Sequence, residues 1–181
     1  RRARHGGLPL RPMSRFPVLM YHRLQSSRHP VADPAERPWA VAPPAFEWQM
    51  DRLAAAGKKG VSMADAHEAL VGGQGVPRDW VVLTFDDGNA SDHAHAFPIL
   101  SERGFRATFF VCGQRVDAEG GLRKAMLREM HQAGMHIGSH AMTHHFLTTL
   151  APADEEDELT RSQQLLQEIV GAPVDHFAPP G

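Results

Sequence analysis

The sequence predicts an α/β fold: a parallel sheet with helices outside it. Three observations lead there. Short strand-forming runs alternate with helical patterns from Phe16 onward, and such a rhythm places crossover helices between parallel strands. Two of the runs, WVVLTF and RATFFV, are apolar on both faces, as strands covered on both sides are. Helical patterns end in glycine at Gly57, Gly104, Gly134 and Gly171, where a left-handed cap stops the helix and turns the chain into the next element. The sheet is either open or closed into a barrel, and in both cases ligands gather at the C-terminal ends of the strands.

The elements follow in order. Residues 1–15 are rich in Arg, Gly and Pro without apolar period and read as a flexible leader, so the domain is expected over residues 16–181. FPVLMY is the first strand. Residues 23–44 are Pro-rich and long for a loop, either a substrate-side segment or a mobile one. PAFEWQMDRLAAAG, ADAHEALVGG, SDHAHAFPILSERG and LRKAMLREMHQAG read as helices, separated by the strands KGVSM, WVVLTF and RATFFV. MHIGS is the next strand, then the helix DEEDELTRSQQLLQEIVG and the strand VDHFA. In that helix Leu159, Leu166, Ile169 and Val170 share one stripe. The acidic run Asp154 to Glu158 reads as a solvated helix start, where the dipole favours negative charge. Trp48 and Trp80 read as core residues.

Composition narrows the function. The 181 residues are 42% hydrophobic and 22% charged, ordinary for one globular domain, and the formal net charge of -2 gives no reason to expect nucleic acid or an anionic membrane as partner. The one cysteine, Cys112, excludes an internal disulfide and a Cys-rich zinc site and reads as a small buried strand residue. No apolar run approaches the roughly 18 residues of a membrane helix, and the leader lacks the apolar segment of a signal peptide.

The strand ends carry the chemistry. His22 follows FPVLMY, Asp86 and Asp87 follow WVVLTF, His140 and His144 follow MHIGS, and PPG follows VDHFA. Successive side chains on a strand point to opposite faces, and Gly88 permits a sharp turn, so the two aspartates can be aimed at different tasks. His140 and His144 stand four apart, which brings both imidazoles to one side if a helical turn begins there. With one carboxylate they make a three-ligand set with open positions, suited to a catalytic divalent metal, and the other carboxylate is free to act as a base. Alone, HxxxH also fits surface histidines and DDG a common turn.

Together these segments resemble the polysaccharide deacetylase family, the NodB-like carbohydrate esterases. TFDDG at 84–88 matches that family's first motif, and HAMTH at 140–144 its second, with Ala141 at a usual Ser or Thr. The flanking PILSERGFRATFFV and MHQAGMHIGSH are similar to the family's connecting segments. The resemblance implies a distorted (β/α) barrel of the NodB type; six strand candidates are few for one, and residues beyond Gly181 are expected to complete it. It implies Asp86 as general base and Asp87, His140 and His144 as ligands of one divalent metal, Zn2+ first and Co2+, Ni2+ or Fe2+ otherwise. The segment VLMYHRL is similar to that of a subgroup acting on poly-N-acetylglucosamine, which makes His22 the candidate general acid. Trp39, His176 and Pro179 are candidate substrate-binding residues. The third motif departs from the family pattern: FAPPG carries Ala178 where many relatives have Arg.

The implied activity is hydrolysis of N-acetyl groups on an N-acetylglucosamine-containing polysaccharide, in an extracytoplasmic setting. Its alternatives are a non-catalytic carbohydrate-binding relative and a metal-dependent amidase acting on a small amide.

Overall fold

The computed structural model describes residues 15–25, 34–73 and 75–181. All but the last residue of the expected leader, and residues 26–33 of the Pro-rich segment, lie outside them. The strands are β1 (Val18–Tyr21), β2 (Arg23–Leu24), β3 (Ala40–Val41), β4 (Lys59–Val61), β5 (Trp80–Phe85), β6 (Thr108–Val111) and β7 (His136–Ser139). The helices are α1 (Pro43–Ala55), α2 (Met63–Val71), α3 (Phe97–Glu102), α4 (Lys124–Gln132) and α5 (Pro152–Val170).

Five strands form one parallel sheet with β5 at its centre. Along one edge of β5 runs β1, with Val18 opposite Val82 and Tyr21 opposite Phe85. The other edge is shared: β4 covers its start, with Val61 also opposite Val82, and β6 covers its end, with Phe109 opposite Phe85. β7 pairs with the far edge of β6, Ser139 lying opposite Val111. The fold class read from the sequence therefore holds: a parallel sheet with crossover helices. Barrel closure is not formed among the described residues.

The period-two alternation of β5 sorts the core. Leu83 and Phe85 belong to the main cluster with Phe46 and Met50 of α1, Leu100 of α3, Leu127 and Met130 of α4, and Leu166 and Ile169 of α5. Val82 faces the other way, into a smaller cluster with Val61, Ala66 of α2 and Val76. Each fully buried side chain of this size contributes about 1.5–3 kcal/mol by leaving water. The expected glycine caps are present, with left-handed φ of +67° at Gly57, +62° at Gly104, +89° at Gly134 and +70° at Gly171.

Four expectations are corrected. VDHFA forms a single bridge, Phe177 to Ser139, rather than a strand, because only the Ser139 N–H and C=O pair with it. The 23–44 segment is not all loop: β2 and β3 pair within it, a 3-10 turn spans Pro34–Trp39, and Pro43 opens α1, where the missing N–H of a proline costs nothing. Helix α3 is preceded by a π-helical turn, Asp92–Ala96, instead of continuing from Ser91. Trp48 is 63% exposed, since it stands on the face of α1 turned away from the core cluster. No described helix is long and apolar enough to cross a membrane.

Candidate active site

The C-terminal end of β5 builds the first part of the site. The Asp86 N–H donates to the Tyr21 carbonyl, which carries the β1 pairing one residue past the strand. Asp87 then takes φ of +80° and Gly88 +77°. A non-glycine residue rarely adopts this left-handed backbone, and two in succession turn the chain sharply. Gly88 is required for a second reason: a Cβ there would lie 2.8 Å from Val111 Cγ1. The turn is held by the loop that follows β6, because the Leu122 N–H donates to the Gly88 carbonyl and Asn89 bridges Gly121.

His140 and His144 come from the loop after β7. No helical turn forms there. Ala141 has φ of +61° and His144 +65°, and these left-handed residues break any helix while curling the loop back on itself. The loop is pinned from two sides. Glu158 of α5 accepts from the Met142 and Thr143 N–H groups at 2.9 and 2.8 Å and from the Thr143 hydroxyl at 2.6 Å. Gln114, after β6, donates its backbone N–H to the Met142 carbonyl and its side chain to the Thr143 carbonyl. The acidic run at the start of α5 is thus only partly solvated: Glu158 is buried and clamps the histidine loop.

Three ligand atoms of Asp87, His140 and His144 lie within 4.8 Å of one another. Asp87 Oδ1 is 3.1 Å from His144 Nε2 and 3.6 Å from His140 Nε2. The buried Oδ1 has no well-formed hydrogen bond, which suits an oxygen directed at a cation. His140 is buried and its Nδ1 lies 2.8 Å from the Ala178 carbonyl. A carbonyl only accepts, so Nδ1 carries the proton and Nε2 is left as a lone pair facing Asp87, the arrangement usual for a metal-binding imidazole. Burial lowers the His140 pKa. The residues present therefore fit a divalent metal with two nitrogens and one oxygen.

The adjacent carboxylates have opposite electrostatics. Burial pushes the Asp86 carboxyl up to about 6, and the Asp87 charge adds to that, against the pull of His22 and His144. Burial would also raise Asp87, but the His144 imidazole, the Arg115 guanidinium and His140 hold it down at about 2. Asp87 is thus held as an anion, whereas the Asp86 carboxyl is drawn toward neutrality.

Both open into a cleft of about 500 Å³ lined also by Met20, His22, Trp39, Arg115, His140, His144, Pro179 and Gly181. Of the residues singled out in the sequence, Asp86, Asp87, His140, His144, His22, Trp39 and Pro179 meet here. The Trp39 ring lies against His22, centroids 5.1 Å apart. His176 does not line the cleft: its ring packs against His136 and His67, at 4.7 and 5.4 Å, toward the start of β7. Sequence reading missed Arg115, Asn89, Glu158 and the backbone role of Ala178. Arg115 also follows a strand end, past β6, so the rule that found the aspartates could have found it.

The family model for polysaccharide deacetylase matches residues 73–181, more than half of the chain. The chain is 39% identical over 106 residues to the poly-beta-1,6-N-acetyl-D-glucosamine N-deacetylase of Escherichia coli, covering 59% of this chain and 15% of that protein. Among solved structures, the deacetylase PplD of Streptococcus pyogenes, in complex with acetate, superposes with a TM-score of 0.81 at 26% identity, covering 94% of this chain and 75% of that one. IcaB from Ammonifex degensii gives 0.76 at 30% identity, covering 92% and 74%. The chain spans about half the length, or less, of the curated relatives it matches.

Proposed function

The chain belongs to the polysaccharide deacetylase family, and on that premise we propose that it hydrolyses N-acetyl groups on an N-acetylglucosamine-containing polysaccharide with Asp86 as general base. The observation that carries this reading is the meeting of a buried carboxyl of raised pKa, Asp86, with the Asp87, His140 and His144 set in one cleft. Asp87, His140 and His144 would hold a divalent metal, Zn2+ by its liking for two imidazoles and one carboxylate, and when bound it supplies Lewis acidity toward the acetyl carbonyl and its attacking water.

The chain's own residues do the rest. Asp86 takes a proton from the water as it attacks the acetyl carbon, and its raised pKa suits a group that must gain and lose a proton near neutrality. His22, which lines the same cleft, gives a proton to the sugar nitrogen as the C–N bond breaks, leaving acetate and a free amine. Trp39, 57% exposed beside His22, offers a flat apolar face for a sugar ring, and Pro179 lines the same cleft. The Ala178 carbonyl keeps His140 in its binding tautomer. A polymer of this kind lies outside the cytoplasmic membrane, which supports an extracytoplasmic setting. The relative named for poly-beta-1,6-N-acetyl-D-glucosamine supports that polymer as first substrate to try.

The test is acetate release from acetylated glucosamine oligomers, with and without chelator. Release that stops on chelation, returns with Zn2+ and is lost in Asp86→Asn is expected. Release that survives both chelation and Asp86→Asn overturns the mechanism, and oligomer binding without release marks a carbohydrate-binding protein.

A further inference from the structure

We propose that Arg115 is a positioning residue for the Asp87 carboxylate, holding Oδ2 so that Oδ1 alone is presented to His140 and His144. The two oxygens of Asp87 have separate surroundings. Oδ1 faces the two imidazoles, whereas Oδ2 is paired with an Arg115 guanidinium nitrogen at 3.8 Å. A carboxylate free to rotate about its last bond offers either one oxygen or both to a cation. A cation fixed on Oδ2 removes that freedom.

Arg115 is fixed at both ends. Its backbone N–H donates to the Cys112 carbonyl, and its own carbonyl lies so close to Gly121 that a Cβ there would collide with it. Its guanidinium donates to Asn89 Oδ1 at 3.0 Å. Asn89 is 1% exposed and cannot swing away: its backbone N–H donates to Asp92 at 3.0 Å and its side-chain amide to the His22 carbonyl at 2.7 Å. One buried amide therefore ties the backbone of His22 to the guanidinium that faces Asp87. A planar, permanently charged fork is suited to hold Asn89 and Asp87 together. Ala178 leaves the third motif without a cation, and Arg115 brings one to the ligand aspartate; it is not among the groups that shift the base Asp86.

This inference rests on Asp87, His140 and His144 being a metal site, and not on deacetylation. It is tested by titrating metal-free wild type, Arg115→Ala, Arg115→Gln and Arg115→Lys with Co2+, reading affinity and visible absorption, with urea unfolding of each metal-free protein alongside. Arg115→Ala and Arg115→Gln are expected to bind Co2+ about 10- to 100-fold more weakly, as loss of a residue orienting a ligand does. Their visible bands should weaken as the carboxylate closes a second bond and the coordination number rises. Arg115→Lys, which keeps a cation, should recover part of both. Should Arg115→Ala fail to fold, Arg115→Gln gives the same reading. Unchanged affinity and spectrum in a folded Arg115→Gln overturn the inference while leaving the metal site standing. A wild-type protein that takes up no stoichiometric Co2+ overturns both.

Discussion

Asp86 and Asp87 differ by one position in sequence and by about 4 pH units in acidity, from about 6 to about 2. The left-handed φ of Asp87 is the local cause, because it turns the second side chain toward His140, His144 and Arg115 while the first stays on the buried strand end. Separate losses should follow. Asp87→Asn is expected to abolish stoichiometric metal binding, measured by calorimetry, since one of three ligands loses its charge. Asp86→Asn should retain the metal with affinity within a few-fold of wild type and lose acetate release by at least about a hundredfold, the lower end of what a general base contributes. Metal binding lost equally in both variants would remove the distinction between base and ligand.

At the scale of elements, the site depends on two loops held by residues far along the chain. Glu158 of α5 satisfies two backbone N–H groups of the histidine loop. Glu158→Ala leaves these part-buried groups without that partner, at a cost of about 1–2 kcal/mol, and lets His144 drift. Urea unfolding and a Co2+ titration should show both the loss of stability and an affinity weakened about tenfold, with Glu158→Gln less affected in each. A normal affinity in Glu158→Ala would mean that Gln114 alone holds the loop. On the other side, Gly121 packs against the Arg115 backbone where no Cβ fits. Gly121→Ala should lower stability by about 1–3 kcal/mol in the same unfolding assay, the usual cost of overpacking. A Gly121→Ala protein as stable as wild type would show that this loop yields without cost.

Across the whole molecule, a pH dependence is expected from the histidines at the start of β7, away from the cleft. Burial lowers His136 to about 4, helped by His176 and His131, with Asp65 and Asp175 opposing. A depressed histidine binds its proton in the unfolded chain first, so its contribution is whole above about 6.5 and is lost as pH falls toward about 4. Allowing for part exposure, a loss of about 2 kcal/mol between pH 7 and pH 4 is expected. Denaturant midpoints of wild type and His136→Gln across that range should show a smaller fall in the variant. Parallel curves would assign the acid sensitivity to other groups.

Much of this was legible from one chain of letters because it depends on neighbours in sequence. Alternation of strand and helix signals sets a parallel sheet, glycine caps set the helix ends, and position after a strand sets Asp86, Asp87, His140 and His22 at one end of it. What could not be read depends on long separations. Asn89 meets Arg115 across 26 positions, Thr143 meets Glu158 across 15, and His140 meets the Ala178 carbonyl across 38. No periodicity links such pairs. The same limit explains the misplaced residues: Trp48 is exposed because of which way α1 lies on the sheet, and His176 faces His136 because of how residues 176–178 pair with Ser139. Sequence by itself determined which chemical groups stand at the strand ends, since local propensity places them there. The family resemblance already implied different roles for the two aspartates; only the tertiary structure shows what separates their acidities and holds them apart, because burial and opposing charge come from distant parts of the chain.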